Sequence, residues 1–278
     1  MKTYKELSLP FLGDVYRIIA NVCKTNSVSC YLIGAQARDI NLLESGIRPS
    51  RGTKDIDFAI MLPDMVTYEK IVSDLLNAGF RDTKMPYRII HDETNTVVDL
   101  LPFGQIEEEG TVKFTEREIE ISVVGFREVN EIVQDVSIED ENLRVSPMEG
   151  LFILKLISWN EKPFERKKDL IDLQFILKNY FEINQERFYS EHLDCIEQLP
   201  EAHFQLGAGA RLLGRDMAEV LKLSVSLKSQ ILHVIDKRLR GNIGVLSENS
   251  SAFYDDNEKL DRELIELIKK GILEKTEI

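Results

Sequence analysis

The sequence predicts an α+β (mixed α/β) fold, with a mixed-sheet domain over residues 1–145 and a helical domain over residues 146–278. Two observations predict it. Before residue 146, short apolar runs bounded by Gly, Pro, Asn and Asp alternate with segments of helical spacing. After Pro147, almost every segment has the spacing of an amphipathic helix. A chain of 278 residues is long enough to bury two hydrophobic cores.

In the first half, apolar spacing predicts helices over 11–25, 35–44 and 63–80. Pro63 lies near the start of the last of these and Gly79 near its end, as is typical of helix boundaries. Short apolar runs predict strands in the segments SCYLIG, DIDFAIML, YRIIH, TVVDLLPF, TVKF and EIEISVV.

The second half is predicted to be helical throughout. The helical segments are PMEGLFILKLISWN, ERKKDLIDLQFILKNYF, GARLLGRDMAEVLKL, LKSQILHVIDKRL and NEKLDRELIELIKKGIL. The glycines in LGAGARLLG follow no strong strand and precede no Lys-Ser/Thr pair, so the segment does not have the pattern of a phosphate-binding loop.

The composition indicates a globular cytoplasmic protein. Hydrophobic residues make up 43% and charged residues 30% of the chain. No apolar run approaches the roughly 20 residues of a membrane span, and the N-terminus lacks the features of a signal peptide. The three cysteines have no metal-ligand spacing, which predicts reduced packing thiols.

The formal net charge of −13 is concentrated in one stretch, because residues 105–142 contain twelve acidic and three basic side chains. Residues 205–241 have the opposite bias. Solvated helix faces would explain both. The alternative for 205–241 is a basic surface that binds a polyanion such as RNA, through Arg211, Arg215, Lys228, Lys237 and Arg238.

Asp55 and Asp57 stand at the start of an otherwise apolar strand. Since side chains alternate faces along a strand, these carboxylates share one face, and Ile56 and Phe58 lie on the other. Two like charges this close raise each other's pKa unless a cation lies between them. Mg²⁺ prefers carboxylate oxygens, so the pair is a candidate metal clamp. The alternative is a pair of exposed or capping aspartates.

Two further features favour the metal clamp. Asp99 interrupts the apolar strand NTVVDLLPFG and supplies a third carboxylate. Gly34 stands between a strand and a helix N-terminus, where backbone N–H groups and the helix dipole favour phosphate. Together these are the parts of a two-metal phosphoryl-transfer site.

The order G-x-x-x-R-D, R-x-T-x-D-I-D-F and V-D-L-L-P-F-G resembles the nucleotidyltransferase superfamily, which includes DNA polymerase β and the CCA-adding enzymes. The segment GLFILKLISWNEKPFERKKDLIDL resembles the bacterial abortive-infection branch, whose members include type IV toxin–antitoxin toxins. The resemblance covers roughly residues 29–175.

The resemblance implies the metal ligands and part of the nucleotide site. Asp55 and Asp57 would bind two Mg²⁺ ions, with Mn²⁺ as an alternative, and Asp99 would bind the catalytic ion and polarise the attacking hydroxyl. The predicted nucleotide-binding residues of this half are Gly34, Ala35, Arg38 and Arg51. The superfamily usually has Gly-Gly or Gly-Ser where this chain has Gly34-Ala35, and an ion pair of Arg38 with Asp39 is an equal alternative.

The resemblance also implies that Lys155 binds the triphosphate, and that Asp169 or Asp172 contacts the nucleotide or orients this lysine. Two alternatives remain open. Lys155 lies in an apolar helix, where a lysine extends its head group to water. Asp169 and Asp172 are three residues apart on one helical face, so Arg166 or Lys168 is within reach.

The function implied is transfer of a nucleoside monophosphate from an NTP to an acceptor hydroxyl. The acceptor would be an RNA 3′ end, such as that of tRNA, or a protein side chain. The expected role is that of a toxin in a type IV system, with a cognate antitoxin as a further partner and no membrane association. The alternative is a nucleotide- or metal-binding regulatory module with little or no turnover.

Overall fold

The computed structural model describes residues 3–7, 9, 11–49, 55–196, 203–240 and 254–276. The chain divides into two compact units, Met1–Pro147 and Met148–Ile278. The first unit holds all the strands of the described chain, and the second is helical. No helix of the described part is long and apolar enough to cross a membrane.

The first unit is built on a seven-stranded mixed sheet with the order β3-β4-β5-β2-β1-β9-β8, and a separate hairpin pairs β6 with β7. The strands are β1 Ser29–Ile33, β2 Asp55–Leu62, β3 Phe80–Asp82, β4 Arg88–His91, β5 Val97–Gly104, β6 Thr111–Phe114, β7 Ile119–Ser122, β8 Gln134–Ile138 and β9 Glu141–Val145. At the centre, β2 is antiparallel to β1 and parallel to β5.

The helices of this unit are α1 Leu12–Thr25, α2 Gly34–Glu44, α3 Met65–Asn77 and α4 Phe126–Asn130. The Asp64 side chain caps α3 by accepting a hydrogen bond from the Thr67 backbone N–H, which satisfies one of the unpaired donors of the first turn. Tyr16 of α1 packs against Phe58 of β2, with ring centroids 5.8 Å apart. The buried face predicted for β2 is therefore part of the core.

The predicted fold class is confirmed, and each predicted strand of the first half is present. Short elements were not predicted: β3, α4, β8 and β9. The edge strand β8 is exposed on alternate residues and has the polar sequence Gln-Asp-Val-Ser-Ile. An edge strand buries few side chains, so its apolar pattern is weak. The acidic stretch of residues 105–142 includes β8 and the start of β9.

The second unit consists of α5 Met148–Glu161, α6 Lys167–Ile183, α7 Gln185–Glu191, α8 Phe204–Leu221, α9 Val225–Arg240 and α10 Tyr254–Thr276. The longer helices agree with the prediction, and the short α7 was not predicted. Glycines allow the backbones of α8 and α10 to pack in direct contact. A Cβ on Gly214 would lie 2.1 Å from the Ile268 carbonyl oxygen, and one on Gly271 would lie 2.2 Å from the Arg211 carbonyl oxygen. The glycines of LGAGARLLG therefore lie within a packed helix.

Candidate active site

The three predicted carboxylates lie on neighbouring strands. In the parallel pairing of β2 with β5, Asp57 is the register partner of Asp99, and Asp55 pairs with Val97. Register partners in a sheet project to the same face, and residues two apart on one strand do so as well. Asp55, Asp57 and Asp99 therefore share one face of the sheet. The shared face of Asp55 and Asp57 agrees with the alternation predicted for their strand.

Gly34 lies directly against this face. It is the first residue of α2 and has a φ of +69°, a conformation that only glycine adopts without strain. Its strand neighbour Ile33 is the register partner of Asp57. A Cβ on Gly34 would lie 2.0 Å from Asp57 Oδ2, so the absence of a side chain leaves the space that the carboxylate occupies.

Ala35 follows within α2 and is not among the residues with positive φ. The turn therefore demands glycine only at Gly34, and the departure from Gly-Gly does not disturb the backbone. Phosphate binding by the Gly34 and Ala35 amides stays a prediction. Their position at the N-terminus of an eleven-residue helix supports it.

Arg88 completes the site, and sequence reasoning missed it. It lies opposite Asp99 in the antiparallel pairing of β4 with β5. Its Nε and Nη2 donate hydrogen bonds of 2.7 and 2.8 Å to Asp99 Oδ1 and Oδ2. These bonds, with the charges of Asp99 and Asp55, raise the pKa of Arg88. The only sequence signal was a basic residue at the start of the strand YRIIH.

The donor set fits a hard divalent cation, since carboxylate oxygens on one face are the ligands that Mg²⁺ prefers. The side-chain conformation differs from a ready-made metal site: among the described residues, no group of three or more His, Cys, Asp or Glu side chains is arranged to hold a metal. Asp99 instead binds the Arg88 guanidinium through both oxygens.

Arg38 and Asp39 are buried in α2, with 4% and 1% of their surfaces exposed. Arg38 Nε and Nη2 donate to Asp39 Oδ1 at 2.9 and 2.8 Å. The internal ion pair considered as an alternative is therefore present, and nucleotide binding by Arg38 stays a prediction. Arg51, the other predicted arginine ligand, lies outside the described residues.

Lys155, Asp169 and Asp172 form a cluster within the helical unit. Lys155 Nζ lies 2.6 Å from Asp169 Oδ1 and 3.1 Å from Asp172 Oδ2, and Arg166 Nη1 contacts the other oxygen of Asp169 at 3.1 Å. Burial alone would lower the pKa of Lys155, but the two carboxylates outweigh it and raise that pKa. Asp169 therefore contacts both Lys155 and Arg166, the pair considered as an alternative. The roles of Lys155 as a phosphate ligand and of the aspartates in orienting it stay predictions.

The predicted basic surface on 205–241 is wrong for two of its members. Arg211 and Arg215 are each only 6% exposed. Both contact the Glu274 carboxylate of α10, and Arg215 also contacts Asp194. Glu274 follows Arg211 by 63 residues and Arg215 by 59, so the sequence spacing could not reveal the pairs.

The rest of the predicted basic region lies on α9. Lys237 is exposed, while the Arg238 guanidinium stacks on Trp159 at 3.9 Å from the ring centroid. A stacked guanidinium still presents edge donors to a ligand. Any polyanion surface in this region therefore depends on α9, not on α8.

A pocket of about 280 Å³ lies in the first unit, beside Arg88. Its apolar wall includes Tyr68, Leu76 and Phe114, and its charged residues include Glu69, Asp82 and Arg117. Tyr68 Oη donates to the Pro86 carbonyl oxygen at 2.9 Å, which fixes the ring beside the pocket. The pocket therefore adjoins the arginine that binds Asp99.

Comparison with known proteins identifies the family of the chain. A family model described as nucleotidyl transferase AbiEii toxin, type IV TA system, matches residues 41–234. This range includes Asp55, Asp57, Asp99 and the Lys155 cluster. No curated protein matches at a significant level.

Several solved structures are remotely similar. The solution structure of the antibiotic-resistance factor ANT(2″)-Ia is 12% identical and covers 82% of this chain and 97% of its own, with a TM-score of 0.36. An antigenic nucleotidyltransferase-like protein from Paracoccidioides brasiliensis is 14% identical and covers 74% and 94%, with a TM-score of 0.40. A tRNA-processing enzyme in its apo form is 17% identical and covers 96% and 74%, with a TM-score of 0.32.

The family match extends over more than half of the chain and contains the D-x-D, the Asp99 strand and the lysine helix. The predicted superfamily and branch are confirmed. The chain belongs to the AbiEii nucleotidyltransferase toxin family of type IV toxin–antitoxin systems.

Proposed function

We propose that this nucleotidyltransferase moves a nucleoside monophosphate from an NTP to an acceptor hydroxyl in a reaction that requires Mg²⁺, with Mn²⁺ as a substitute. The observation that carries the proposal is the register of Asp57 with Asp99, with Asp55 on the same face and Gly34 against Asp57. Three carboxylates on one face of the sheet, beside a glycine turn, are the donor set that a hard divalent cation prefers, so the arrangement supports a cation-binding role.

The proposed chemistry assigns each side chain a task. Asp55 and Asp57 would hold two cations and Asp99 one of them. The bound cations would offset the negative charge of the phosphates during transfer. The acceptor oxygen attacks the α-phosphorus, the bond from that phosphorus to the bridging oxygen breaks, and pyrophosphate leaves. The acceptor proton passes to Asp99 as general base, or to water if Asp99 acts on the hydroxyl through the cation that it would hold.

Two further groups would bind the triphosphate. The backbone N–H groups at Gly34 and Ala35 offer donors at a helix N-terminus. Lys155 offers an ammonium whose orientation is fixed by Asp169 and Asp172. Fixing a long side chain in advance lowers the entropy that binding must otherwise remove.

The proposed acceptor is an RNA 3′ end, such as that of tRNA, or the hydroxyl of a protein side chain. The family membership supports a toxin whose activity a cognate antitoxin opposes. The proposed location is the cytoplasm. The acidic stretch 105–142 would repel RNA, so an RNA acceptor is expected to avoid the β8–β9 hairpin.

A label-transfer screen tests this function. The full chain is incubated with each of the four α-³²P-labelled NTPs, Mg²⁺ and total RNA, and also without RNA so that the chain itself is the protein acceptor. The expected result is label on RNA or protein with one preferred NTP, lost in Asp57→Asn. Tight NTP binding without transfer to either acceptor would instead favour the regulatory module.

A further inference from the structure

Arg88 and a divalent cation require the same oxygens. Arg88 binds Asp99 through two parallel hydrogen bonds of 2.7 and 2.8 Å, and the Asp99 side chain is only 12% exposed. A bidentate guanidinium–carboxylate pair of this kind is among the stronger ion pairs in proteins. In this state Asp99 therefore already has a cationic partner.

A cation bound to Asp99 would change this pair. The Asp99 oxygens would lie between two positive charges in a partly desolvated site, where electrostatic interactions are stronger than in water. A metal ion that takes a carboxylate oxygen also needs a short and direct approach to it. Each Asp99 oxygen has a second lone pair that a cation can use, but the repulsion between that cation and the Arg88 guanidinium would weaken both interactions.

The surroundings of Arg88 allow its guanidinium to move. Its side chain is 37% exposed and lines the pocket of about 280 Å³. The same pocket is lined by the carboxylates of Glu69 and Asp82, and Asp82 is on β3, the strand paired with β4. A guanidinium that leaves Asp99 thus has both space and acidic partners nearby.

We propose that Arg88 is a positioning residue that occupies Asp99 in the metal-free enzyme and competes with the divalent cation for this carboxylate. This inference rests on the proposed function, because it assumes that Asp99 is a metal ligand. Its consequence is a weakened affinity for free cation, because a cation that binds Asp99 does so against the positive charge of the guanidinium.

The test measures Mn²⁺ binding to the full chain without NTP, by the loss of the free-ion signal in electron paramagnetic resonance. Arg88→Gln removes the competing charge and is expected to lower the Kd for Mn²⁺ by about 10-fold or more, given the strength of charged hydrogen bonds. The matched control is Arg81→Gln. Arg81 is on β3 and pairs with Asp92 at 2.6 Å, not with Asp55, Asp57 or Asp99, so its replacement should leave the Kd unchanged.

The outcomes separate this inference from the proposed function. An Arg88→Gln protein that folds and binds Mn²⁺ no more tightly than wild type overturns the inference alone. Absence of Mn²⁺ binding in wild type and Arg88→Gln, with NTP added as well, overturns both. If Arg88→Gln does not fold, Arg88→Met takes its place: it removes the charge and retains an unbranched side chain, so a lower Kd supports the competition and an unchanged Kd overturns it.

Discussion

The Asp57 carboxylate occupies the space that a side chain on residue 34 would fill. A Cβ on Gly34 would lie 2.0 Å from Asp57 Oδ2 and 2.9 Å from the carboxylate carbon. The backbone turn that begins α2 and the central carboxylate of the site are therefore built as one unit. Either the phosphate turn or Asp57 must move if residue 34 gains a side chain.

Gly34→Ala should accordingly abolish most of the activity. The positive φ alone costs about 1–2 kcal/mol of stability for a residue with a Cβ. Displacement of Asp57 by even an ångström should lower kcat on the order of 100-fold. Label transfer and the urea midpoint of the same preparation measure the two effects.

Gly46→Ala is the matched control. Gly46 has a similar φ of +74°, and a Cβ there would meet nothing within 4 Å. The variant should lose a comparable amount of stability but keep wild-type transfer. Equal transfer in both variants would show that the contact between Gly34 and Asp57 has no role in the reaction.

Lys155→Ala should lower kcat/KM for the NTP by about 10- to 100-fold, the value of a charge-assisted hydrogen bond to phosphate. Its removal also leaves Asp169 and Asp172 without their shared cation, which should destabilise the helical unit. Steady-state transfer at varied NTP concentration measures the first effect, and Lys178→Ala on the exposed face of α6 is the control.

Adding Asp169→Asn to Lys155→Ala separates the two roles of the lysine. The amide removes a buried charge, so stability should recover while transfer remains low. Recovery of transfer together with stability would show that Lys155 acts only on the structure of its own unit.

Glu149 should make the stability of the helical unit depend on pH. Burial, and then the Asp216 carboxylate, raise the pKa of Glu149 from 4.5 to about 7. Tyr180 Oη donates to Asp216 at 2.6 Å and lies 3.3 Å from Glu149 Oε2, and Arg187 contacts Asp216. The folded state therefore retains a proton that the unfolded state releases above pH 4.5.

Because the folded pKa is the higher one, the stability that Glu149 contributes is complete below pH 4.5 and declines as pH rises to about 7. The difference in unfolding free energy between wild type and Glu149→Gln should change by on the order of 3 kcal/mol over this range and then level off. Urea unfolding at a series of pH values measures it, with the exposed Glu182→Gln as control. A difference that does not vary with pH would contradict the raised pKa.

Gly214→Ala should destabilise the helical unit by about 1–3 kcal/mol, the usual cost of overpacking. Its Cβ would lie 2.1 Å from the backbone oxygen of Ile268, and a backbone atom cannot rotate away. Gly209→Ala in the same helix gains the same helix propensity, while its Cβ would meet its nearest atom, the Phe181 backbone nitrogen, at 3.0 Å. In thermal melts, the melting temperature of Gly214→Ala should be well below that of Gly209→Ala.

The sequence predicted what depends on local patterns. The apolar alternation around Asp55 and Asp57 indicated a strand with both carboxylates on one face, and that strand is β2. The strand–glycine–helix order at Gly34 predicted the turn that lies against the site. The lysine helix and its D-x-x-D partner were identified by resemblance.

Long-range pairing was not predictable in the same way. Arg88 reaches Asp99 because β4 is antiparallel to β5, and nothing in the segment YRIIH specifies this register. Arg211 and Arg215 were expected on a surface, but Glu274 of α10 binds both. Charge patterns along a chain show which residues need partners, while the packing of distant elements decides which partners they have.

The central claim is that Asp55, Asp57 and Asp99 hold the cations of a nucleotidyl-transfer site. Its most direct test is a crystal structure of the full chain with Mn²⁺ and a non-hydrolysable NTP analogue, with anomalous diffraction used to locate the metal. The account predicts two Mn²⁺ peaks roughly 4 Å apart, bound to oxygens of Asp55, Asp57 and Asp99. Bound nucleotide with no Mn²⁺ peak at these three carboxylates would contradict it.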